Sequence, residues 1–586
     1  MKLQDIKSPA DIKSLSVPEL EDLARQMREG ILFRTSNIGG HVSPNLGAVE
    51  IITAMHYVFD APKDKLVFDV SHQAFSHKML TGRADGYLDP DDFYKVDEYT
   101  FPPESPLYDI FYAGHTSPSI SLSTGLAKAR ELAGDDYRIV TIIGDGALSG
   151  GEAFEGLNVG GNVKGNFILI VNDNQMSIAP VNGAIYKGLA ELRETNGTAD
   201  NNLFRAFGWD YVYLADGNNM QACIDTLRKV KDTDHPVVVH INTQKGEGYV
   251  PAEKQREEWH SHDPYIIATG ESRHPDDQPD YEDALRDFLL KKCAEEPNLL
   301  IISSATPEEF GFMEQQRKIA GNHFLDVDIA EQTAVSVMAG AARGGAKVVY
   351  PVAATFMQRA YDQIIEDWAM DDSPALMPVL CSGIRGINDQ THLGFWDVAF
   401  LTSMPDIVYL APTNMEEYLA MLQWGFSQDK YKVALRVPTY SIEHTDEPVD
   451  TDYSDLNKFK ITRQGSQVAI IGAGDFYVKA EQVAQLLEQQ GITPTIINPR
   501  FLSGIDTDLL KSLEKDHALV VTIEDASVEG GFGQRVASVL GDSSMKVLNF
   551  GLAKKFVNKY RTADLEQLNN LLPPQIAESI LATLNK

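Results

Sequence analysis

Two short polar segments, each directly after an apolar run, carry the side chains best suited to hold a metal ion. Asp145 lies in a Gly-Asp-Gly turn after the run 139–143, and Asn174 follows the run 167–171. If the two runs are neighbouring parallel strands, the Asp145 carboxylate, the Asn174 amide oxygen and the backbone carbonyl of Met176 converge at one edge of a sheet. Hard oxygen ligands of this kind suit Mg²⁺ or Ca²⁺. Taken alone, Gly-Asp-Gly also fits an ordinary turn.

The same turn offers room for a phosphate group. Gly146 and Ala147 carry little or no side chain, and the segment from Gly150 has the pattern of a first helical turn. Backbone amides at the start of a helix bind anions, and the helix dipole favours negative charge there. The sequence therefore predicts a diphosphate site formed by a metal ion and backbone amides.

Three more segments place histidines where a ligand could reach them. His41 follows two glycines, His72 follows the predicted strand 66–70, and His115 lies just before a helix of small residues. Because open α/β sheets bind ligands beyond the carboxyl ends of their strands, we expect these loops and the Gly-Asp-Gly turn to line one crevice. Each loop histidine, taken alone, is also compatible with a structural role.

In order and spacing, these segments resemble the 1-deoxy-D-xylulose-5-phosphate synthase family of the transketolase superfamily. The resemblance covers essentially the whole chain. It rests on Gly-His at 40–41, Asp-Val-Ser-His-Gln-Ala-Phe-Ser-His-Lys at 69–78, Gly-His-Thr at 114–116, the Gly-Asp-Gly and Asn motif, and Lys-Gly-Glu-Gly-Tyr at 245–249. It implies a transferase that uses thiamine diphosphate and Mg²⁺ to join pyruvate to glyceraldehyde 3-phosphate, giving 1-deoxy-D-xylulose 5-phosphate and CO₂.

The resemblance also implies which residues hold the cofactor and its metal. The metal would be bound by Asp145, Asn174 and the carbonyl of Met176. His260 resembles a histidine near the thiazolium ring of the cofactor, although a pair of surface histidines with His262 explains these residues equally well. The full set of implied cofactor-binding residues is His72, Gly114, His115, Thr116, Gly146, Ala147, Asn174, Tyr281, Glu331 and Phe356; for Phe356, packing in the core is the alternative.

The resemblance assigns catalysis to Glu331, His41 and His392. Residues 325–332 predict a strand that passes into the helix 334–343, with Glu331 at the junction. A glutamate at this position also suits a helix cap. Thiamine, however, requires a carboxylate hydrogen-bonded to its aminopyrimidine ring, and a partly buried glutamate with raised proton affinity meets that need. The two histidines would be the groups that transfer protons.

The substrate site follows the family pattern less closely. The residues implied to contact substrate are His41, Arg359, His392, Arg385 and Arg436; a surface position is the alternative for Arg359. Ala353 replaces a family tyrosine, and Thr439 replaces the arginine that binds the acceptor's phosphate, while Cys381, Asn388 and the short segment 178–203 also depart from the family. The alternatives are a transketolase-superfamily enzyme with a different acceptor, phosphorylated or not, or with a ketose donor, and a non-catalytic protein that binds thiamine diphosphate.

The composition argues against several other classes of function. With 84 acidic and 51 basic residues the net charge is −33, so we expect neither nucleic acid nor an anionic membrane as partner. The three cysteines, Cys223, Cys293 and Cys381, lack metal-ligand spacing, and no apolar run approaches the ~18 residues that span a bilayer. Residues 1–5 do not have the pattern of a signal peptide, so we expect a cytoplasmic protein.

A chain of 586 residues is too long for one hydrophobic core, and its alternating strand and helix patterns predict an α/β protein. The resemblance implies a homodimer and three doubly wound domains of transketolase type. These are a diphosphate- and metal-binding domain at 1–280, a pyrimidine-binding domain at 281–445, and a C-terminal α/β domain at 446–586. The first two are thiamine-diphosphate-binding folds. Polar linkers are predicted at 271–280 and 443–455, and the pathway served, whether supply of isoprenoid, thiamine or pyridoxal precursors, stays open.

Overall fold

A computed structural model of the chain describes residues 1–274, 279–439 and 442–585. The chain forms two compact units, one of residues 1–277 with 328–330, the other of residues 278–327 with 331–586. The linker predicted at 271–280 includes residues 275–278, which lie outside the described residues. Among the described helices, none combines the length and apolarity needed to cross a membrane.

The first unit is built around a five-stranded sheet whose neighbouring strands are all parallel. Its strands, in spatial order, are Lys65–Phe68, Ile139–Gly144, Phe167–Asp173, Pro236–Asn242 and Asp210–Leu214. The pairing of Ile139–Gly144 with Phe167–Asp173 confirms the parallel neighbours predicted from the two apolar runs. The strand predicted at 66–70 ends at Phe68, because Val70 and Ser71 have φ angles of 56° and 68° and turn the chain out of the sheet.

Helices cover both faces of this sheet. Alternate residues of the central strands belong to two separate hydrophobic clusters, with Ile142 and Ile170 in one and Ile143 and Leu169 in the other. Because every face of these strands is buried, their sequences are continuously apolar. The longer helices are Val17–Ile38, Val49–Val58 and Met220–Val230 in the first layer and Ser119–Ala133, Gly151–Gly160 and Ala184–Glu194 in the second.

A two-stranded ribbon replaces the loop predicted around His41. Gly40–His41 pairs antiparallel with Ser261–His262, opposing residues more than two hundred positions apart in the chain. The left-handed φ angles of Gly39 and Gly40, 77° and 118°, turn the chain from the preceding helix into this ribbon. A two-residue strand has no periodicity, so its sequence could not reveal it.

The second unit contains two sheets. Strands of the larger sheet are Ile407–Leu410, Lys432–Arg436, Leu376–Leu380, Lys347–Val349, Leu299–Ser303 and Phe324–Asp326, all parallel, with Val352–Ala353 beside Leu376–Leu380. Strands of the smaller sheet are Lys460–Arg463, Thr495–Asn498, Gln467–Gly472, His517–Ser527 and Lys546–Leu552. Only the edge strand Lys460–Arg463 runs antiparallel to its neighbour among these described strands.

The helices of the second unit complete an α/β architecture. The longer ones are Tyr281–Glu295, Glu314–Ala320, Glu331–Arg343, Asp397–Thr402, Met415–Ser427, Tyr477–Glu488, Thr507–Ser512, Phe532–Val539, Thr562–Leu568 and Pro573–Leu584. The helix predicted at 334–343 begins three residues earlier, at Glu331. Parallel sheets with helices between their strands confirm the predicted α/β class, whereas the division at 280 and 445 stays a prediction.

Arg436 joins the two sheets of the second unit. It ends a strand of the larger sheet, is 5% exposed, and donates from Nε to Asp397 Oδ2 at 2.7 Å and from Nη1 to Asp525, which lies in the smaller sheet. Its Nη2 also approaches Asp397 at 3.4 Å. Each guanidinium nitrogen therefore already has a carboxylate partner, an arrangement typical of a buried structural ion pair. The implied contact of Arg436 with substrate stays a prediction.

Replacement of Arg436 should destabilise the second unit. We expect Arg436→Met to cost roughly 3–5 kcal/mol, since it leaves the buried Asp397 and Asp525 carboxylates without a cation. The matched control is Arg463→Met, which removes an exposed pair with Glu488 and should cost at most about 1 kcal/mol. The midpoint of urea unfolding, followed by circular dichroism, measures both changes. Equal shifts for the two variants would contradict the structural role.

Candidate functional site

The predicted metal ligands lie at the carboxyl ends of two adjacent strands in the first unit. Gly144 pairs with Asn172, and the Asp145 N–H donates to the Asn172 carbonyl at 3.1 Å, which holds the two strand ends together. Beyond them, the Met176 N–H donates to the Asn174 side-chain oxygen at 3.2 Å. The strand pairing and this turn place Asp145 and the segment from Asn174 to Met176 side by side, as the sequence predicted.

The Asp145 carboxylate is buried, yet both of its oxygens lack a well-formed hydrogen bond; the residue is 1% exposed. Burial, followed by the charge of Asp173, raises the pKa of Asp145 well above its ordinary value, while Lys245 opposes the shift. An unpartnered buried carboxylate is costly, and a divalent cation would offset that cost. The Asp145 carboxylate, the Asn174 amide oxygen and the Met176 carbonyl form a donor set that fits Mg²⁺.

A hydrogen-bonded network fixes the loop behind Asp145. Asp173 is fully buried, accepts a hydrogen bond from His240 Nε2 at 2.8 Å, and pairs with Arg193. Its Oδ1 also accepts the Gln175 N–H at 3.2 Å. Burial alone would raise the pKa of Asp173, but His240 and Arg193 lower it, so Asp173 carries the negative charge that its neighbour Asp145 must tolerate. Within the described residues, no cluster of three or more His, Cys, Asp or Glu side chains has metal-site geometry.

A hydrogen bond links the Gly-Asp-Gly turn to the residue that follows the 114–116 loop. Ser117, which follows Thr116, donates from Oγ to the Ala147 carbonyl at 3.0 Å and from its backbone to Asp69 at 2.9 Å. A Cβ atom on Gly146 would lie 3.0 Å from Ser177. Ser117 thus ties the end of the 114–116 segment to Ala147, and the room for a diphosphate stays a prediction.

Three histidine rings gather in the same unit. The ring of His41 lies 5.2 Å from that of His72 and 5.3 Å from that of His260, and His72 and His260 are 5.3 Å apart. Burial, together with His41 and Lys245, lowers the pKa of His72 and of His260 well below the ordinary value, and the Nδ1 atom of each is buried without a hydrogen-bond partner. His260 therefore belongs with His41 and His72, while His262 stacks on Trp259 at 4.3 Å.

The predicted catalytic carboxylate lies at the start of a helix in the second unit. Glu331 is the first residue of Glu331–Arg343 and is 3% exposed; its Oε2 lies 3.4 Å from Arg359 Nη1. Burial raises the pKa of Glu331, and the Arg359 charge only partly opposes the shift. The expected raised proton affinity is therefore confirmed, and Arg359 is an ion-pair partner of Glu331 rather than an isolated surface cation.

The other predicted residues of the second unit lie in different surroundings. Phe356 and His392 meet edge to face at 5.6 Å, and His392 is 6% exposed with Nδ1 2.8 Å from Thr391 Oγ1. Tyr281 is buried and packs on Tyr418 at 5.2 Å, a core contact. Arg385 is exposed. The structure thus brings Phe356 and His392 together, as it does Glu331 and Arg359.

Three glutamates with notable contacts or pKa shifts were missed from the sequence, Glu282 and Glu309 in the second unit and Glu98 in the first. Glu309 and Glu282 have pKa values raised to about 8 and about 7, mainly by burial; the charges of Glu282 and Glu331 raise that of Glu309 further. Lys245 is 1% exposed and donates to the Ser177 carbonyl at 2.6 Å. Glu98 contacts His41 directly. Lys245 belongs to the Lys-Gly-Glu-Gly-Tyr motif at 245–249, whereas the three glutamates lie in segments without a motif.

Sequence models of known protein families match most of the chain. A sequence model described as 1-deoxy-D-xylulose-5-phosphate synthase matches residues 3–201 and 193–243. The transketolase pyrimidine-binding domain matches residues 277–443, and the transketolase C-terminal domain matches residues 457–576. Among solved structures, a transketolase from Campylobacter jejuni is 16% identical, covering 97% of this chain and 100% of that one, with a TM-score of 0.44. That likeness is too weak to carry an argument.

Curated relatives agree with the family models along the full length. The 1-deoxy-D-xylulose-5-phosphate synthase of Symbiobacterium thermophilum is 36% identical, covering 100% of this chain and 95% of the relative. Those of Thermomicrobium roseum and Synechocystis sp. are 35% and 34% identical, each covering 100% of this chain and 98% of the relative. The chain, with its transketolase-type domains, therefore belongs to the 1-deoxy-D-xylulose-5-phosphate synthase family.

Proposed function

We propose that the chain is a transferase that condenses pyruvate with glyceraldehyde 3-phosphate, using thiamine diphosphate, to give 1-deoxy-D-xylulose 5-phosphate and CO₂. Membership of the family along the whole chain supports this activity. The observation that carries it is the buried Asp145 carboxylate, which has no well-formed hydrogen bond and lies beside Asn174 at the strand ends. Without a bound cation, the Asp145 carboxyl group would stay buried without a compensating partner, which is uncommon in folded proteins.

The chain's own residues would hold the cofactor at both ends. Asp145, Asn174 and the Met176 carbonyl would bind Mg²⁺, and backbone amides around Gly146 and Ala147 would receive the diphosphate, with the Gly114 to Thr116 loop and His72 beside it. Tyr281, Phe356 and Glu331 would contact the ring end. When bound, thiamine diphosphate supplies the carbon nucleophile that takes up the two-carbon unit of pyruvate.

Proton transfer would be shared among three side chains. Glu331, kept protonated more readily by burial, would hydrogen-bond the aminopyrimidine ring and fix its tautomer. His41 and His392 would move protons at the substrate, and Arg359 and Arg385 would attract its anionic groups. Arg436 stays a predicted substrate contact, although Asp397 and Asp525 already bind part of its guanidinium.

The setting of the activity rests on the resemblance and on the composition of the chain. We propose a homodimer in the cytoplasm that binds small molecules and neither nucleic acid nor membranes, and a product that serves isoprenoid precursor synthesis. The net charge of −33 supports the exclusion of polyanionic partners. Supply of thiamine precursors stays a prediction.

Asp145→Asn should uncouple cofactor binding from metal. In the wild type, thiamine diphosphate should bind more tightly with Mg²⁺ than with EDTA, as measured by quenching of tryptophan fluorescence. The variant should bind weakly in both conditions. Without metal, the variant should unfold at an equal or higher urea concentration than the wild type, because a buried carboxyl group whose ionisation is opposed by burial and Asp173 has been replaced by a neutral amide. Asp136→Asn, at an exposed pair with Lys63, is the control and should behave as wild type. Metal-dependent binding retained by Asp145→Asn would refute the site.

Glu331→Gln should separate a catalytic carboxylate from a helix cap. We expect a loss of about 10²- to 10⁴-fold in CO₂ release from pyruvate with glyceraldehyde 3-phosphate, since glutamine cannot act as an acid or base. Glu314→Gln is the matched control, because Glu314 also begins a helix of the second unit but is 72% exposed. Product mass identifies the sugar phosphate. Equal activity of the two variants would leave Glu331 only a capping role.

Arg385→Met should reveal whether this exposed cation binds the acceptor's phosphate. A lost charged hydrogen bond is worth roughly 1.5–3 kcal/mol, so the KM for glyceraldehyde 3-phosphate should rise roughly ten- to hundredfold. The KM for unphosphorylated glyceraldehyde should not change. Arg561→Met, an exposed arginine paired with Asp564, is the control. An equal rise of KM for both aldehydes would show that Arg385 does not recognise phosphate.

A further inference from the structure

Glu98 holds His41 through a single carboxylate oxygen. Its Oε1 accepts the His41 backbone N–H at 2.8 Å and lies 2.7 Å from Nδ1 of the same ring. The two side chains are 28% and 16% exposed, so the contact is largely shielded from water. Two hydrogen bonds to one oxygen fix both the backbone and the ring of His41 relative to Glu98.

The contact determines which ring nitrogen carries a fixed proton. Burial alone would raise the pKa of Glu98, but the charge and hydrogen bonds of His41, together with Arg34, lower it to about 2. An ionised carboxylate only accepts hydrogen bonds, so Nδ1 of His41 must be the donor, whether the ring is neutral or protonated. The proton that the ring gains and loses is therefore the one on Nε2.

Nothing else in the described structure fixes this ring by a hydrogen bond. Within the described residues, Nε2 of His41 has no hydrogen-bond partner. The rings that face it belong to His72, His260 and Tyr99, at 5.2 to 5.9 Å between centroids. Among the residues that the structure describes, Glu98 is thus the only carboxylate that contacts His41.

Gly40 makes the approach of Glu98 possible. Its φ angle is 118°, and a Cβ atom built on it would lie 2.8 Å from Glu98 Oε1. A side chain at this position would therefore displace the carboxylate or strain the backbone. The antiparallel pairing of His41 with Ser261 holds the same backbone from the other side.

We propose that Glu98 is a positioning residue that keeps His41 in the Nδ1–H form, so that Nε2 is the atom that exchanges protons with substrate. The effect on turnover rests on the proposed function, whereas the tautomer does not. The same contact orients the ring towards the histidine cluster, where His72 and His260 keep buried Nδ1 atoms without partners. A carboxylate that fixes the tautomer of an acid–base histidine is a general way to make it act at one nitrogen.

Spectroscopy of the full-length protein tests the tautomer directly. In protein labelled with ¹³C-histidine, the Cδ2 shift distinguishes Nδ1–H from Nε2–H, and His41→Gln identifies the His41 signal. We expect Nδ1–H for His41 in the wild type. Glu98→Gln should retain it, because its carbonyl oxygen can still accept both hydrogen bonds, and Glu98→Ala should lose it. An Nε2–H signal for His41 in the wild type would overturn the inference without any variant.

Turnover tests the consequence. With glyceraldehyde 3-phosphate and pyruvate, Glu98→Ala should lower kcat about ten- to hundredfold with little change in KM, and Glu98→Gln should recover part of the loss. Glu416→Gln is the matched control, since Glu416 contacts Nδ1 of the exposed His444 at 2.8 Å, and it should leave kcat unchanged. An unchanged kcat in Glu98→Ala would overturn the positioning role. If the wild type has no activity but shows the expected tautomer series, the positioning stands and the proposed function falls.

Discussion

The buried carboxyl group of Asp145, whose ionisation is opposed by burial and by the charge of Asp173, sets the constraint on the first unit. A carboxylate removed from water without a partner costs several kcal/mol, and the neighbouring Asp173 adds to that cost. The two strands that end at these aspartates are paired with each other and are apolar apart from Thr141 and Asn172. Two buried acidic groups therefore lie next to each other at the carboxyl ends of these strands. A divalent cation with an anionic ligand would stabilise them there.

Among the described residues, the buried polar groups around Arg436 and those around Asp145 differ in how far they are hydrogen-bonded. Arg436 with Asp397 and Asp525 forms a closed set in which each nitrogen of the cation has a carboxylate partner. Asp145 and the Nδ1 atoms of His72 and His260 are left without hydrogen bonds. The ion pairs of Arg436 contribute to the stability of the second unit. The incompletely hydrogen-bonded groups of Asp145, His72 and His260 are those for which we propose a ligand.

Glu331 shows how burial and an ion pair balance in the second unit. Desolvation favours its neutral form, while Arg359 at 3.4 Å favours the charged one, and burial has the larger effect. A carboxyl group poised in this way can donate a hydrogen bond at a pH where an exposed glutamate could only accept one. Burial also raises the pKa of Glu282 to about 7 and that of Glu309 to about 8, and the charge of Glu331 adds to the shift of Glu309.

Elements whose signal is local could be predicted from the sequence. Continuous apolar runs ending in Gly-Asp-Gly and in Asn174 predicted two parallel strands with their polar ends together, and Glu331 was placed at a helix start from the pattern around it. Three contacts could be seen only in the folded structure. They are the contact of Glu98 with His41, the packing of His260 on His41 and the burial of Arg436 in its ion pairs. These contacts join residues tens to hundreds of positions apart, and the path of the loops that brings them together leaves no periodicity in the chain.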